Sequence, residues 1–190
     1  MTSFVFAYGS NMCSGRFRAY NMTPLGSGRA AMLDGYVLRF NKQNTDGSGK
    51  ATIFQSPGNP LWGVLYEVPT ADVSMLDGGE QGYGREIAIV LVEDQPVTAW
   101  LYIAKRPVTT TRLHPYSWYK RLIVEGAREH TLPPDYIARL EAIEDHLDPN
   151  QTRHAQRMSL LCSASDCATE TNDDKHRSLK VGRFGYGGLS

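Results

Sequence analysis

Alternating hydrophobic and small or polar positions dominate the first hundred residues and predict β-strands. Phe4, Phe6 and Tyr8 recur at every second position, and this first strand ends at a turn, Gly9-Ser10-Asn11. Pro57-Gly58-Asn59-Pro60 is expected to end a later strand in the same way. The further strands are expected over residues 36–40, 50–54, 61–68, 85–92 and 97–104.

A helical period replaces the alternation in the second half of the chain. Tyr119, Leu122, Ile123, Gly126 and Ala127 recur at helical spacing and predict a helix over residues 116–130. Two prolines end it, and proline near a first helical position favours the start of a second helix. The buried stripe expected for that second helix consists of Tyr136, Ile137, Leu140 and Ile143.

Between the strands, Thr70 is expected to cap a brief helix that runs through Leu76. Its hydroxyl can accept hydrogen bonds from the amides of a first helical turn. Strands that come first and helices that come later indicate an α+β fold, because a doubly wound sheet would alternate the two.

The pattern dissolves from about Asp148. Residues 163–178 are mostly small, polar or charged and have no period, which is typical of a loop or a disordered segment. Leu179 to Tyr186 has enough apolar content for an edge strand. We therefore predict one domain over residues 1–148, followed by a polar extension over residues 149–190 whose role the sequence does not assign.

Composition narrows the class of protein. The 190 residues suffice for a single core, and 41% hydrophobic with 21% charged residues is ordinary globular composition. Lys plus Arg equals Asp plus Glu at 20 each, so the chain lacks the positive field with which nucleic-acid binders attract phosphates. No apolar run has the length of a membrane span, and the N-terminus does not resemble a signal peptide.

Cysteine usage points to a reducing compartment. Cys13, Cys162 and Cys167 are too few and too scattered for a disulfide framework. We therefore expect a cytoplasmic protein without nucleic-acid or membrane partners. The spacings of His146, His154, Cys162 and Cys167 do not fit a structural zinc site, so no metal is expected.

Two glycine-containing motifs are candidates for chemistry. In Tyr8-Gly9-Ser10-Asn11, which we call the N-terminal turn, glycine permits close approach and successive amides can bind an anion. In the segment from Leu76 to Gly84, four glycines surround the carboxylate of Glu80 and let a substrate come close to it. Each motif could equally be an ordinary turn or a solvated loop.

Three other side chains are weaker candidates. Tyr102 and Tyr119 fit either a core whose tyrosine hydroxyls are satisfied or the wall of a ligand pocket. Cys13 follows the N-terminal turn, where amide dipoles can lower a thiol pKa, but no histidine precedes His114 to serve as its base. A phosphate loop, a dinucleotide-binding fingerprint and a Ser-His-Asp signature are all missing from the sequence.

Three motifs in the same order resemble the γ-glutamylcyclotransferase family. Phe6 to Met12 resembles its opening strand and substrate loop, and Leu76-Asp77-x-x-Glu80 resembles its carboxylate motif. The segment from Tyr119 to Tyr136 resembles its C-terminal helix pair. The resemblance spans residues 4–147 and implies a small, closed or nearly closed mixed β-barrel with flanking helices. It departs at Gln81, because the family often has glycine directly after the catalytic glutamate.

The resemblance also implies roles for residues and a reaction. Glu80 corresponds to the general acid–base, and Tyr8, Gly9, Ser10 and Asn11 correspond to the cradle for the substrate's α-carboxylate and γ-carbonyl. Tyr102 and Tyr119 correspond to pocket tyrosines. The reaction cyclises a γ-glutamyl amide to 5-oxoproline and releases the free amine. It requires no cofactor or metal, because the α-amine of the substrate is the nucleophile.

The sequence leaves alternatives for the substrate, for the oligomeric state and for the class of protein. The released amine could belong to an amino acid, a peptide or a simple amine, and a homodimer is left open. The main alternative to an enzyme is a non-catalytic barrel of the same fold that binds a small molecule, although such a protein would have no need of Glu80. A thiol amidohydrolase that uses Cys13 is the third reading.

Overall fold

The computed structural model describes residues 1–105 and 113–161 of the chain. The strands are β1 (Thr2–Ala7), β2 (Arg29–Gln43), β3 (Gly49–Pro69), β4 (Tyr83–Val92) and β5 (Gln95–Ala104). The helices are α1 (Ser14–Arg18), α2 (Val73–Gly79), α3 (Ser117–Glu129), α4 (Pro134–Glu141) and α5 (Gln151–Met158). Two short 3₁₀ turns, Ser10–Met12 and Thr70–Asp72, precede α1 and α2.

The strands close into a mixed barrel in the order β1-β3-β2-β4-β5. Strands β1 and β3 are antiparallel neighbours. Their register runs from Thr2 opposite Pro69 to Ala7 opposite Val64. The seam that closes the barrel is parallel, and there Val5 of β1 lies opposite Trp100 of β5. The prediction of a closed mixed β-barrel with flanking helices is confirmed.

Strand boundaries differ from the sequence prediction at β2 and β3. Because β2 already begins at Arg29, the predicted strand over residues 36–40 is only its middle. The segments 50–54 and 61–68 are parts of the one strand β3. Gln55 pairs with Tyr36 and Pro60 pairs with Asp34, so residues 56–59 bulge outward opposite a single residue of β2. The turn signal therefore marks a bulge and does not end the strand.

The prediction that Thr70 caps a helix is wrong. Its hydroxyl lies 3.0 Å from the hydroxyl of Ser3 on β1. Thr70 opens the 3₁₀ turn, and α2 starts at Val73 with no side-chain cap. Since α2 continues through Gly79, Glu80 occupies the position that ends the helix.

Helix α3 has the predicted helical period, with its ends shifted by one residue each. Of the stripe predicted for the second helix, Tyr136 and Leu140 are buried on α4 and Ile137 is half-buried, whereas Ile143 lies beyond the end of α4 at Glu141. The buried face of α3 includes Tyr119, Leu122, Ile123 and Ala127. Gly126 on that face allows α3 to approach the N-terminal turn, because a Cβ there would overlap the backbone of Met12 and Cys13. The apolar stripe of α3 thus fixes the turn that follows β1.

Helix α5 was not predicted, and it lies in the C-terminal extension, where the sequence has no helical period. None of its residues is buried, so it has no hydrophobic stripe to signal a helix. Its start is marked by Asn150, whose side chain accepts a 2.9 Å hydrogen bond from the amide of Arg153. Buried Asp148 accepts two 2.6 Å hydrogen bonds from the Arg153 guanidinium and one of 2.8 Å from Nε1 of Trp118.

The expectations for residues 163–178 and 179–186 lie outside the described residues. Within the described ranges, no helix has both the length and the apolarity needed to cross a membrane.

The contact at Gly126 gives a test of stability. We expect Gly126→Ala to lower the free energy of unfolding by about 1–3 kcal/mol, because the added methyl forces α3 away from the N-terminal turn. Gly78→Ala is the control: Gly78 has open space around it, and alanine is the better helix former. Urea unfolding of both variants measures the effect, and equal stability of the two would contradict it.

Candidate active site

A cavity of about 280 Å³ lies where the N-terminal turn, α1, the end of α2, α3 and α5 meet the barrel. Every site residue that the sequence indicated lines this cavity, namely Tyr8, Gly9, Ser10, Asn11, Glu80, Tyr102 and Tyr119. Tyr8 and Tyr119 are 111 positions apart in the chain, and the segment after β1, the end of α2, β5 and α3 each contribute one part of the cavity. The cavity is therefore built by tertiary packing around the two glycine motifs.

The N-terminal turn is held by short-range and long-range contacts. The amide of Met12 donates to the carbonyl of Gly9 at 3.0 Å, and Oη of Tyr66 donates to the carbonyl of Met12 at 2.7 Å. Gly9 has a φ of −117°, which any residue can adopt, so its requirement is one of space. A Cβ at Gly9 would lie 3.2 Å from Cβ of Ala51 and 3.4 Å from Oη of Tyr119. Glycine keeps this corner of the cavity open.

Glu80 is half-buried at the end of α2 and faces the N-terminal turn. Its Oε1 accepts a 2.8 Å hydrogen bond from Nδ2 of Asn11. Burial raises the pKa of the Glu80 carboxyl above its ordinary value, against the opposing effects of Asn11, Arg16 and Lys42. A carboxyl with a raised pKa is suited to both accept and return a proton near neutral pH.

Two glycines in the segment from Leu76 to Gly84 are required for separate structural reasons. A Cβ at Gly79 would overlap the ring of Tyr20, so glycine lets the segment that follows α1 pack across the end of α2. Gly82 has a φ of +80°, which favours glycine, and it shapes the turn that leads into β4. Gln81 lies between Glu80 and this turn and lines the cavity. The departure from the family pattern at Gln81 therefore leaves Glu80 facing the cavity.

The predicted tyrosines differ in what their hydroxyls contact. Oη of Tyr8 donates to the carbonyl of Tyr102, and Oη of Tyr119 accepts from the amide of Ala51 at 3.3 Å. Burial raises the pKa of both Tyr8 and Tyr119, so these phenols stay protonated and serve as hydrogen-bond groups. Oη of Tyr102 instead donates to Oδ1 of Asp77 at 2.8 Å. Tyr102 thus contributes a wall and a backbone carbonyl to the site, while its hydroxyl is engaged by α2.

Asp77 has the structural role that its position at the helix end indicates. Besides accepting from Tyr102, it forms a 3.1 Å ion pair with Arg85 of β4. These contacts tie α2 to β4 and β5 and so hold the adjacent Glu80 in place.

Several cavity residues carry no sequence pattern and were missed. Arg16 lies on α1 and Tyr20 follows the end of that helix, with Nη2 of Arg16 donating to Oη of Tyr20 at 2.7 Å. That spacing was readable from the sequence, but the place of the pair in the fold was not. The other lining residues without a predicted role include Lys42, Lys50, Tyr83, Trp118, Arg153 and Arg157.

Lys50 occupies an aromatic environment in the cavity. Its Nζ lies 4.5 Å from the ring centre of Trp118 and 4.6 Å from that of Tyr119, and 3.4 Å from Oδ2 of Asp46. Burial lowers the pKa of the Lys50 ammonium to about 8, although Asp46 acts in the opposite direction. Lys50 therefore presents a poorly solvated cation to whatever occupies the cavity.

Cys13 is buried and does not line the cavity. Its Sγ donates to the carbonyl of Leu160 at 3.5 Å, beyond the end of α5. This placement argues against the thiol reading. Among the described residues, no three His, Cys, Asp or Glu side chains are grouped as a metal site would require. Cys162 and Cys167 lie outside those residues.

Known proteins are similar to this chain in sequence and in structure. The model of the AIG2-like family matches residues 60–140. A mouse γ-glutamylcyclotransferase is 31% identical over 154 residues, which cover 75% of this chain and 79% of the mouse protein. The human γ-glutamylcyclotransferase is 32% identical over 149 residues, covering 73% of this chain and 77% of the human protein.

Solved structures agree with the sequence relatives. A structure described as a γ-glutamyl cyclotransferase superposes with a TM-score of 0.69 at 26% identity and covers 82% of this chain and 99% of its own. The class that the fold defines is therefore the cyclotransferase barrel. The chain belongs to the γ-glutamylcyclotransferase family and is an enzyme of that type.

The environment of Lys50 gives a test of the site's electrostatics. We expect the Lys50 ammonium to lose its proton near pH 8, because burial disfavours its charged form. A ¹³C NMR titration of labelled lysine side chains measures this, and Lys50→Arg identifies the signal by its loss. If the missing signal titrates above pH 10 in the wild-type protein, the cavity around Lys50 is wetter than the structure indicates.

Proposed function

We propose that this enzyme cyclises a γ-glutamyl amide to 5-oxoproline and releases the free amine, with Glu80 as the general acid–base. The observation that carries the proposal is the position of the Glu80 carboxyl, which is half-buried in a small polar cavity and accepts a hydrogen bond from Asn11 of the N-terminal turn. Burial raises the pKa of this carboxyl. The names of the relatives and the similar structure support the same reaction.

The reaction needs one proton carrier and a folded substrate. Glu80 takes a proton from the α-ammonium, and the neutral α-amine then attacks the γ-carbonyl carbon to close a five-membered ring. The bond between that carbon and the leaving nitrogen breaks as Glu80 returns the proton to the nitrogen. The ring nitrogen then gives up its second proton, again through Glu80, and the released amine takes it and leaves as an ammonium ion. Holding the chain in a conformation close to attack supplies much of the rate enhancement.

Asn11 is suited to place the substrate amine beside Glu80. Its Nδ2 donates to Oε1 of Glu80, which leaves Oδ1 as the acceptor of the same amide. Oδ1 is buried, and no hydrogen-bond partner for it is present within the described residues. A buried acceptor without a partner costs stability unless a ligand satisfies it. The α-ammonium of the substrate can donate to Oδ1 of Asn11 and to Glu80 together.

The rest of the N-terminal turn is suited to the negative groups of the substrate. The first amides of a 3₁₀ turn have no partner within the turn and so can bind an anion. Ser10 adds a hydroxyl, and the protonated phenol of Tyr119, whose oxygen accepts from the amide of Ala51, adds a second O–H donor. Tyr8 also lines the cavity, with its own O–H donated to the carbonyl of Tyr102. We assign the α-carboxylate and the γ-carbonyl oxygen of the substrate to this side of the cavity.

Replacement of Glu80 tests the proton carrier. Glu80→Gln keeps the size of the side chain but cannot accept a proton, so we expect kcat to fall by at least about 10²-fold. Affinity for a γ-glutamyl ligand should change much less. The measurements are 5-oxoproline formation and calorimetric binding.

The control for this variant is Asp77→Asn, which removes a carboxylate three residues away whose contacts are with Tyr102 and Arg85. It should lower kcat far less than Glu80→Gln does. If Glu80→Gln keeps more than about a tenth of the wild-type kcat, Glu80 is not the proton carrier. If neither the wild type nor the variant forms 5-oxoproline while both bind the ligand, the protein is a binding barrel.

The pH dependence of kcat tests the contact between Asn11 and Glu80. Nδ2 of Asn11 donates to the carboxylate, which stabilises the charged form and holds the pKa of Glu80 down. Asn11→Ala removes that donor, so the pKa should rise and the acidic limb of the kcat profile should move to higher pH by about one unit. A limb that stays in place or moves to lower pH would show that another group controls it.

A further inference from the structure

One side of the cavity carries more positive charge than the chemistry at Glu80 requires. Arg16 comes from α1, Lys50 from β3, and Arg153 and Arg157 from α5. Nearby cations disfavour one another's charged forms, and Arg16 and Arg153 both lower the pKa of Arg157, after burial. A cluster of like charges in a half-buried cavity is costly unless an anion neutralises it.

Protein carboxylates neutralise only part of this cluster. Arg153 is paired with Asp148 at 2.6 Å, and Lys50 lies 3.4 Å from Asp46. Among the described residues, neither Arg157 nor Arg16 forms an ion pair, and the Glu80 carboxyl near Arg16 is occupied with the proton transfer. Nε of Arg16 is also buried there without a hydrogen-bond partner. The charge that remains calls for an anion from outside the protein.

The ring of Trp118 lies close to two cations of this cluster. The guanidinium of Arg157 lies 5.8 Å from the ring centre of Trp118, and Nζ of Lys50 lies 4.5 Å from it. Nε1 of the same indole donates to Asp148, which in turn holds Arg153 of α5. This chain of contacts fixes α5 so that Arg157 lines the cavity.

We propose that Arg157, together with Lys50, determines substrate specificity by binding a carboxylate on the amine that the reaction releases. The inference rests on the proposed cyclisation. In that reaction the N-terminal turn takes the α-carboxylate of the γ-glutamyl group and Glu80 takes its ammonium. A second anion-binding subsite is then available for the leaving part. The subsite formed by Arg157 and Lys50 therefore favours γ-glutamyl substrates whose leaving part carries a carboxylate over those whose leaving part is a simple amine.

A matched pair of substrates tests this proposal. γ-Glutamyl-L-alanine and γ-glutamyl-ethylamide differ only in the carboxylate of the leaving part. We expect the wild-type kcat/KM to favour the carboxylate-bearing substrate by about tenfold or more, since a charge-assisted hydrogen bond to a guanidinium is strong. Arg157→Gln should lower this ratio by about tenfold, and Arg157→Lys should preserve part of it.

Arg39→Gln is the matched control. It also removes one positive charge, but Arg39 is exposed on β2 and does not line this cavity, so the ratio should stay at the wild-type value. A ratio near one in the wild type, or a ratio that Arg157→Gln leaves unchanged, overturns the subsite while cyclisation stands.

Calorimetry separates failure of this proposal from failure of the proposed function. Glu80→Gln protein is titrated with each of the two ligands, with and without Arg157→Gln. Tighter binding of the carboxylate-bearing ligand, lost with Arg157→Gln, supports the subsite even if no 5-oxoproline forms from either compound. Equal affinities overturn it whatever the outcome of the turnover assay.

Discussion

The site depends on the close contact between α3 and the N-terminal turn. Gly126 lets the helix meet the backbone of Met12 and Cys13, and Tyr66 of β3 donates a hydrogen bond to the carbonyl of Met12. The turn is thus held from two sides by elements far away in the chain. This contact fixes the position of Asn11, whose side chain donates a hydrogen bond to Glu80. The geometry at the carboxylate is therefore a consequence of helix packing.

The barrel seam provides the second support. Tyr8 at the end of β1 donates to the backbone of Tyr102 on β5, across the parallel pair that closes the barrel. The hydroxyl of Tyr102 reaches Asp77 on α2, which leads to Glu80. Both motifs of the site are consequently linked through β5. This explains how side chains from two separate glycine-containing loops are kept in one cavity.

The sequence was sufficient to predict the parts of the fold and site that are locally encoded. The period of α3 and the glycines around Glu80 have direct physical causes, namely a buried face, the close packing at Gly79 and the positive φ at Gly82. Thr70 does not cap a helix because its hydroxyl bonds to the hydroxyl of Ser3 instead of to helix amides. The Pro57–Pro60 segment does not end a strand because pairing with β2 continues on both sides of it. Arg16, Lys50 and Arg157 could not be predicted, because a single cation has no period and its neighbours are set by tertiary packing.

Helix α5 is attached to the domain in an unusual way for an element that lines a cavity. It has no fully buried residue: Met158 packs half-buried against the core, and the polar contacts of Asp148 with Arg153 and Trp118 add to this attachment. Elements with little buried apolar surface open locally at a small free-energy cost compared with global unfolding. Fraying of α5 would leave the barrel and Glu80 intact. The recognition of the leaving part and the proton transfer thus have separate stabilities, and one can change in evolution while the other is kept.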